Sequence, residues 1–271
     1  MADQQHQAGK ADAWASGATY EPYVGRWSRL VAKAFINWLA APAGGRWLDV
    51  GCGTGALSQT ILEQAAPALV TGIDLSEAYI AYAREHVRDS RASFTVGDAR
   101  ALPVGTGEYN AVVSGLALNF VPRPEQALAE MTRAAQPGGI VAAYVWDYAG
   151  QMQLMRHFWD AAAALNPAAQ DLDEGRRFPL CQPQPLEELF RSAGLLQVEV
   201  RAVDVPTVFR DFDDYWSPFL GGQGPAPGYV MSLSEGDRAT LREHIRARLP
   251  IAPDGAIHLM ARAWAVQGIR P

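Results

Sequence analysis

The chain has 271 residues, 49% of them hydrophobic, and a formal net charge of −6, enough apolar sequence for a sizeable core in one large domain or two small ones. An acidic balance without any basic run or stripe argues against a nucleic-acid substrate. The two cysteines, Cys52 and Cys181, make no disulfide framework and suit a reducing compartment; with a polar N-terminus and no apolar run of spanning length, the expected setting is cytoplasmic, without membrane insertion.

Residues 1–12 are small and polar and read as a frayed end. An aromatic-rich stretch follows, with Trp14, Tyr20, Tyr23 and Trp27. Leu30, Val31, Ala34, Phe35, Trp38 and Leu39 then recur at helical spacing, and Pro42 with Gly44-Gly45 ends that helix. From residue 46 to 146 strand and helix patterns alternate. The strand Trp47-Leu48-Asp49-Val50 runs into Gly51-Cys52-Gly53-Thr54-Gly55 and a helix over 56–66; the next apolar run, residues 68–73, is closed by Asp74. Ser76 is placed to cap a helix over 77–88, which leaves Asp74 for another task. Phe94-Thr95-Val96-Gly97-Asp98-Ala99 ends a third strand and residues 109–115 make a fourth. A helix over 124–135, the turn Gln136-Pro137-Gly138-Gly139 and a fifth strand over 140–146 complete the series. Such alternation predicts an α/β fold with a doubly wound, mostly parallel sheet, and a ligand site at the carboxyl ends of its strands.

Strand, glycine turn, helix, strand and acid form a βαβ unit of the kind that holds a nucleoside. Alternating glycines allow the backbone to approach a ligand where a Cβ would intervene, and a carboxylate at the tip of the second strand is placed to accept hydrogen bonds from ribose hydroxyls. The spacing is G-x-G-x-G, not the G-x-G-x-x-G of dinucleotide sites. Asp49 stands two positions before the first glycine, where a pyrophosphate would be repelled. A ligand carrying an amino group and a sulfonium accommodates that acid better.

Asp49-Val50-Gly51-Cys52-Gly53-Thr54-Gly55 resembles the signature of the class I S-adenosylmethionine (SAM)-dependent methyltransferases, and the likeness runs from about residue 20 to 146. It implies a Rossmann-like fold with a seven-stranded sheet whose last strand is antiparallel beside the fifth. SAM is the implied cofactor. By that resemblance Asp49 helps fix the ligand's amino group, directly or through water, while Gly51, Gly53 and Gly55 line its methionine segment. Asp74 holds the ribose, with Leu75 beside it, and Asp98 takes the adenine amino group next to the Ala99 backbone N–H. Ser114, at the end of the fourth strand, faces the methionine end, and residues 116–121 continue along the rim. Cys52 is included among the cofactor-lining positions, although a plain packing role accounts for it. Tyr20, Tyr23 and Arg26 would close over the cofactor from the N-terminal segment, with Arg26, or Arg29 close behind it, clamping the methionine carboxylate.

The second half is less regular. A helix is expected over 151–165, a loop or partly ordered insertion over 166–185, a helix over 186–193 and a strand over 195–205 with Val198, Val200 and Ala202 on one face. Residues 221–228 read as a Gly/Pro turn. Ser234 caps a helix to residue 249 with Leu241, Ile245 and Leu249 as its stripe, and the last strand covers 255–266. The expected organisation is an N-terminal segment and lid helix over 1–45, a core over 46–206, a substrate-facing insertion over 207–250 and the closing strand over 251–271.

The expected activity is methyl transfer to a small-molecule acceptor by in-line displacement, with alignment as the main catalytic device. His157 and Tyr20 are the candidate bases, although packing is the commoner role for a histidine such as His157; Asp147 either faces the mouth or caps the next helix. No metal is expected, and the oligomeric state is unreadable. A nicotinamide-dependent oxidoreductase and a non-catalytic SAM-binding protein are the competing readings.

Overall fold

The structure is a computed structural model that describes residues 25–221 and 224–271. Trp14, Tyr20 and Tyr23 lie outside the described residues. Two compact units are present: one holds residues 28–146, 180–203 and 263–271, the other residues 25–27, 147–179 and the described part of 204–262. These divisions cut the chain differently from the expected boundaries. Residues 147–179, expected inside the core, group instead with 204–262.

The sheet consists of strands β1 (Arg46–Val50), β2 (Leu69–Asp74), β3 (Ala92–Val96), β4 (Tyr109–Gly115), β5 (Ala135–Trp146), β6 (Leu196–Phe209) and β7 (Ile257–Ile269); all belong to the first unit except residues 204–209 of β6 and 257–262 of β7, which group with the second. Their order in the sheet is β3-β2-β1-β4-β5-β7-β6. β1 runs parallel to β2 and β4, β2 to β3, and β4 to β5. β7 lies antiparallel to β5, as the resemblance implies. Parallel strands covered on both faces carry continuous apolar runs, and here Leu48, Val70, Val112, Val113, Val141 and Ala142 are fully buried. The connecting helices are α1 (Arg26–Leu39), α2 (Ala56–Gln64), α3 (Glu77–His86) and α4 (Pro124–Ala134).

Local departures from expectation have identifiable causes. The buried face of α1 includes Ala32 and Ile36, while Leu30 is exposed. Residues 136–139 do not precede β5 but lie within it, as a bulge: Tyr109 pairs with Ala135 and Ala111 with Ile140, and Gly138 supplies a positive φ of 75°. β6 runs past the expected end at Val205 to Phe209; Pro206 is accommodated because β6 is the sheet's edge strand, where a missing N–H is tolerated.

In the second unit the segment expected to be a loop is helical in short pieces. Asn166 accepts from the Ala168 N–H to start a 3₁₀ turn (Pro167–Leu172), and Asp173 accepts from the Gly175 N–H to cap α6 (Glu174–Arg177). These follow α5 (Gln153–Leu165). Helix α7 (Pro183–Ser192), which returns to the first unit, begins with Pro183 in its first turn, where proline's fixed φ favours the helix. The second unit continues with α8 (Phe212–Trp216), α9 (Pro225–Ser232) and α10 (Glu235–Arg246). α9 starts inside the expected Gly/Pro turn for the same reason, and Ser234 caps α10 as expected, accepting from the Asp237 N–H. Its core is aromatic: Phe158 stacks on Phe219 at 4.6 Å between centroids, and Tyr215 donates its hydroxyl to the Leu154 carbonyl.

Gly72 on β2 gives a direct test of the first unit's packing. A Cβ there would stand 2.5 Å from Phe94 Cδ1 and 3.0 Å from Cys52 Sγ. Gly72→Ala should destabilise the chain by about 1–3 kcal/mol in urea denaturation, and adding Phe94→Leu should recover part of that loss.

Candidate functional site

The glycine turn after β1 is tied to the end of β2. The N–H groups of Gly51 and Cys52 both donate to the Ile73 carbonyl, at 2.7 and 3.0 Å, and the Gly53 N–H donates to Asp74 Oδ2 at 2.9 Å. The three glycines do different things. Gly51 has φ +72° and a Cβ there would meet Ala117 Cβ at 2.5 Å, so it lets the segment after β4 lie against the turn. Gly53, at φ +52°, faces open space, the cradle a ligand needs. Gly55 packs inward: its Cβ would meet Val87 Cγ2 at 2.9 Å, with Ala83 and Phe94 behind.

Two carboxylates flank this turn. Asp49 is fully buried; Ser58, in the first turn of α2, donates to its Oδ2 at 2.7 Å, and its Oδ1 has no hydrogen-bond partner among the described residues. Burial, opposed in part by the Ser58 hydrogen bond and reinforced by the charge of Asp74, pushes the Asp49 carboxyl up to about 7. Asp74 is also raised, by desolvation, against the hydrogen bonds from the Ser76 and Gly53 N–H groups. Ser76 does cap α3, accepting from the Tyr79 N–H at 3.3 Å, yet Asp74 is less free than expected: Oδ1 accepts from Ser76 and Oδ2 from Gly53. Each oxygen keeps one lone pair for a ligand hydroxyl.

Other expected positions of the first unit fall around this centre. Leu75, just beyond Asp74, is 69% exposed, an unusual setting for a leucine. Ser114 is buried at the end of β4, followed by Leu116 at φ 57°, strained backbone for a residue with a side chain. Cys52 is buried, and its thiol is raised mainly by desolvation, then by Asp49 and Asp74. Asp98 and Ala99 form the turn after β3, but both Asp98 oxygens already accept from the Arg100 guanidinium, whose hydrogen bonds hold the carboxyl down to about 2.

Three expected residues belong to the second unit. Asp147 is committed to its own loop, accepting from the Gly150 and Gln151 N–H groups at 3.1 and 2.8 Å. His157 on α5 is half-buried, and burial lowers its pKa. Arg26 donates Nη1 to Asp214 at 3.1 Å. Ser58 was missed in the sequence; its signal was a polar residue on the helix face that also buries Leu57, Ile61 and Leu62. Asn119, whose Nδ2 is buried without a described partner, falls in the stretch 116–121 expected along the rim.

Residues 48–143 match the family model described as a methyltransferase domain. The chain is 31% identical over 201 residues to the 2-methyl-6-phytyl-1,4-hydroquinone methyltransferase of Synechocystis sp., a match covering 72% of this chain and 62% of that protein. It is 33% identical over 115 residues to the ubiquinone/menaquinone biosynthesis C-methyltransferase UbiE of Roseobacter denitrificans, covering 41% of this chain and 46% of the relative. The match thus spans less than two thirds of either relative's length. Among solved structures, the YcgJ protein of Bacillus subtilis shares the fold, with a TM-score of 0.58 at 16% identity over 89% of this chain and 98% of that one. The sheet order and the glycine turn define an α/β, Rossmann-like fold of the class I methyltransferase type. Residues 48–143 are a methyltransferase domain, and the chain around it is similar to the relatives named above.

The buried acids make stability depend on pH in a stated direction. A carboxyl whose folded pKa lies above its unfolded value binds its proton more tightly when folded, so stability is greatest in acid and falls as pH rises from the unfolded value to the folded one. For Asp49 that window runs from about 4 to about 7. Glu174, buried in the second unit against the Trp159 indole N–H, is pushed up to about 8 and extends it. The ligand-free chain should lose stability across this range, and Asp49→Asn should flatten the lower part of the curve, read by urea denaturation at pH 5, 6, 7 and 8.

Proposed function

We propose that the chain is a SAM-dependent methyltransferase acting on a small molecule with an apolar body. The observation that supports this best is the unpartnered, buried Oδ1 of Asp49 beside a glycine turn that faces open space at Gly53. An isolated buried carboxylate is costly, and a cationic amine is the group that relieves it. A pyrophosphate would add negative charge beside two acids. The antiparallel β7 placed between β5 and β6 also departs from the 3-2-1-4-5-6 order of dinucleotide-binding sheets.

In this reading Asp49 holds the cofactor's amine, directly or across a water, and Asp74 accepts from the ribose hydroxyls with its remaining lone pairs. Leu75 offers an apolar surface to the adenine, and Asp98 with Ala99 meets the adenine edge, Asp98 sharing its oxygens with Arg100. Cys52 and Ser114 line the methionine end. The bound cofactor supplies an already activated methyl group. What remains for the protein is to align the acceptor and exclude water, an effect worth up to about 7–11 kcal/mol. The named activities of the relatives, on quinone-pathway compounds, favour a phenol or enol acceptor, acidic enough to react without a dedicated base. Asp147, engaged by its own loop, is not the base in this reading. Two free, buried cysteines suit a cytoplasmic setting, and no described helix is long and apolar enough to cross a membrane.

The test is calorimetric titration with S-adenosylhomocysteine, which keeps the amine, carboxylate and adenosine. Binding should be clear, and NADH should give none; the reverse would overturn the reading. At pH 6, where the Asp49 carboxyl is mostly protonated, binding the amine should release a proton, so the heat should vary with the ionisation enthalpy of the buffer. Asp49→Asn should abolish that variation. Asp74→Ala should weaken binding at least tenfold, about 1.4 kcal/mol or more, while denaturation stays cooperative.

A further inference from the structure

The sheet ends on one side at β6, which pairs with β7 alone. Glu199 accepts from Gln267 Nε2 at 3.4 Å, and Asp204 accepts from Arg262 at 2.6 Å. Positions rise along β6 as they fall along β7, so the two strands are antiparallel with Glu199 beside Gln267. Arg270, just past β7, spends its N–H and C=O on Gly139 and Gly138, on the β5 side. Successive residues of a strand turn their backbone groups to opposite sides, so Gln267 turns to β6 and Glu199 to β7. The N–H and C=O groups of Val198, Val200 and Ala202 therefore point away from the sheet. No turn, loop or side chain among the described residues takes them. Pro206 shares their parity, which puts its missing N–H on the same outer side.

A bare edge is a template for another strand, and natural sheets blunt such edges with proline, lysine or a bulge. Here the interruptions sit at the two ends: Gln197 has φ 52°, and Pro206 follows Val205. Between them runs Val198-Glu199-Val200-Arg201-Ala202-Val203-Asp204. Val198, Val200 and Ala202 are half-buried on one face, while Glu199 and Arg201 are exposed on the other. Arg201 has no hydrogen-bond or ion-pair partner among the described residues. The segment is complementary to its own reverse. When two copies pair antiparallel about Val200, Glu199 of each stands opposite Arg201 of the other. The Val200 pair then exchanges hydrogen bonds, so the Glu199–Arg201 pairs are of the non-hydrogen-bonded kind, in which side chains approach more closely. The adjacent registers turn about Glu199 or Arg201 and set two like charges face to face, which is destabilising.

We propose that two copies of the chain join through the outer edge of β6, in register about a two-fold axis at Val200, so that their sheets become one. The interface is isologous, the same patch on each copy. It draws on nothing in the cofactor site and stands apart from the methyltransferase reading.

The experiment is sedimentation equilibrium of the full chain without ligand. Wild type should show a concentration-dependent dimer by about 100 μM, enough to populate a complex of micromolar Kd. Glu199→Arg and Arg201→Glu should each weaken that dimer about tenfold or more, because each sets two pairs of like charges face to face. An equimolar mixture of these two variants should dimerise again, since each chain then meets the opposite charge at both positions. The double reversal E199R/R201E should dimerise by itself. Val200→Pro, which removes only an outward N–H, should be monomeric while its urea denaturation stays cooperative. If that variant fails to fold, the charge reversals, made on exposed side chains, decide alone. A wild type that stays monomeric would overturn the proposal. So would a dimer indifferent to both single reversals, or single reversals that weaken the dimer without recovery on mixing.

Discussion

The arrangement depends on the hydrogen bond from the Gly53 N–H to Asp74 Oδ2 and on the paired bonds from Gly51 and Cys52 to the Ile73 carbonyl. Through them the end of β2 dictates the shape of the turn after β1. The turn cannot relax into an ordinary loop while β2 holds its register against β1, where Val50 pairs with Ile73. Sheet pairing deep in the core is thereby converted into a fixed cradle at the surface. It also explains the division of labour among the glycines. Gly51 admits the segment after β4, Gly55 admits α3, and only Gly53 is left facing outward.

That constraint has an electrostatic consequence. Bringing the tip of β2 to the turn brings Asp74 towards Asp49, and each raises the free energy of the other's charge. Within the protein the strain is only partly relieved: Ser58 donates to one Asp49 oxygen, and backbone N–H groups donate to Asp74. Asp49 Oδ1 has no hydrogen-bond partner among the described residues. Charge pairs of like sign without a cation are rare in cores because desolvation penalises them. At the carboxyl ends of parallel strands, the amine of the proposed cofactor would complete the charge balance.

Much of this was legible in the sequence because it is written in local patterns. Asp49, the three glycines and Asp74 lie within one βαβ unit, where periodicity and turn chemistry speak without tertiary context. The parallel sheet and the Ser76 and Ser234 caps are of the same kind. What escaped was set by distant partners. Asp98 is an acid at a strand end, as expected, but whether it is free turns on Arg100, two residues on, folding back over it. Ser58 is informative only once α2 is known to face β1. The end of β6 lies four residues beyond the expected one, past Pro206, which a strand tolerates only at an edge, a position set by the whole sheet. The helices at 167–172 and 174–177 are too short to carry a period and are specified by caps, Asn166 and Asp173, which look like loop residues in isolation.

The same distinction separates the two halves of the proposed reaction. A cofactor shared by a whole family is held by backbone and by two or three acids whose spacing the fold fixes, so its site can be read in linear sequence. An acceptor is held by side chains that converge from unrelated parts of the chain. Polar groups discriminate best among acceptors, because a polar group left unmatched by a wrong acceptor penalises it more heavily than any apolar contact rewards the right one.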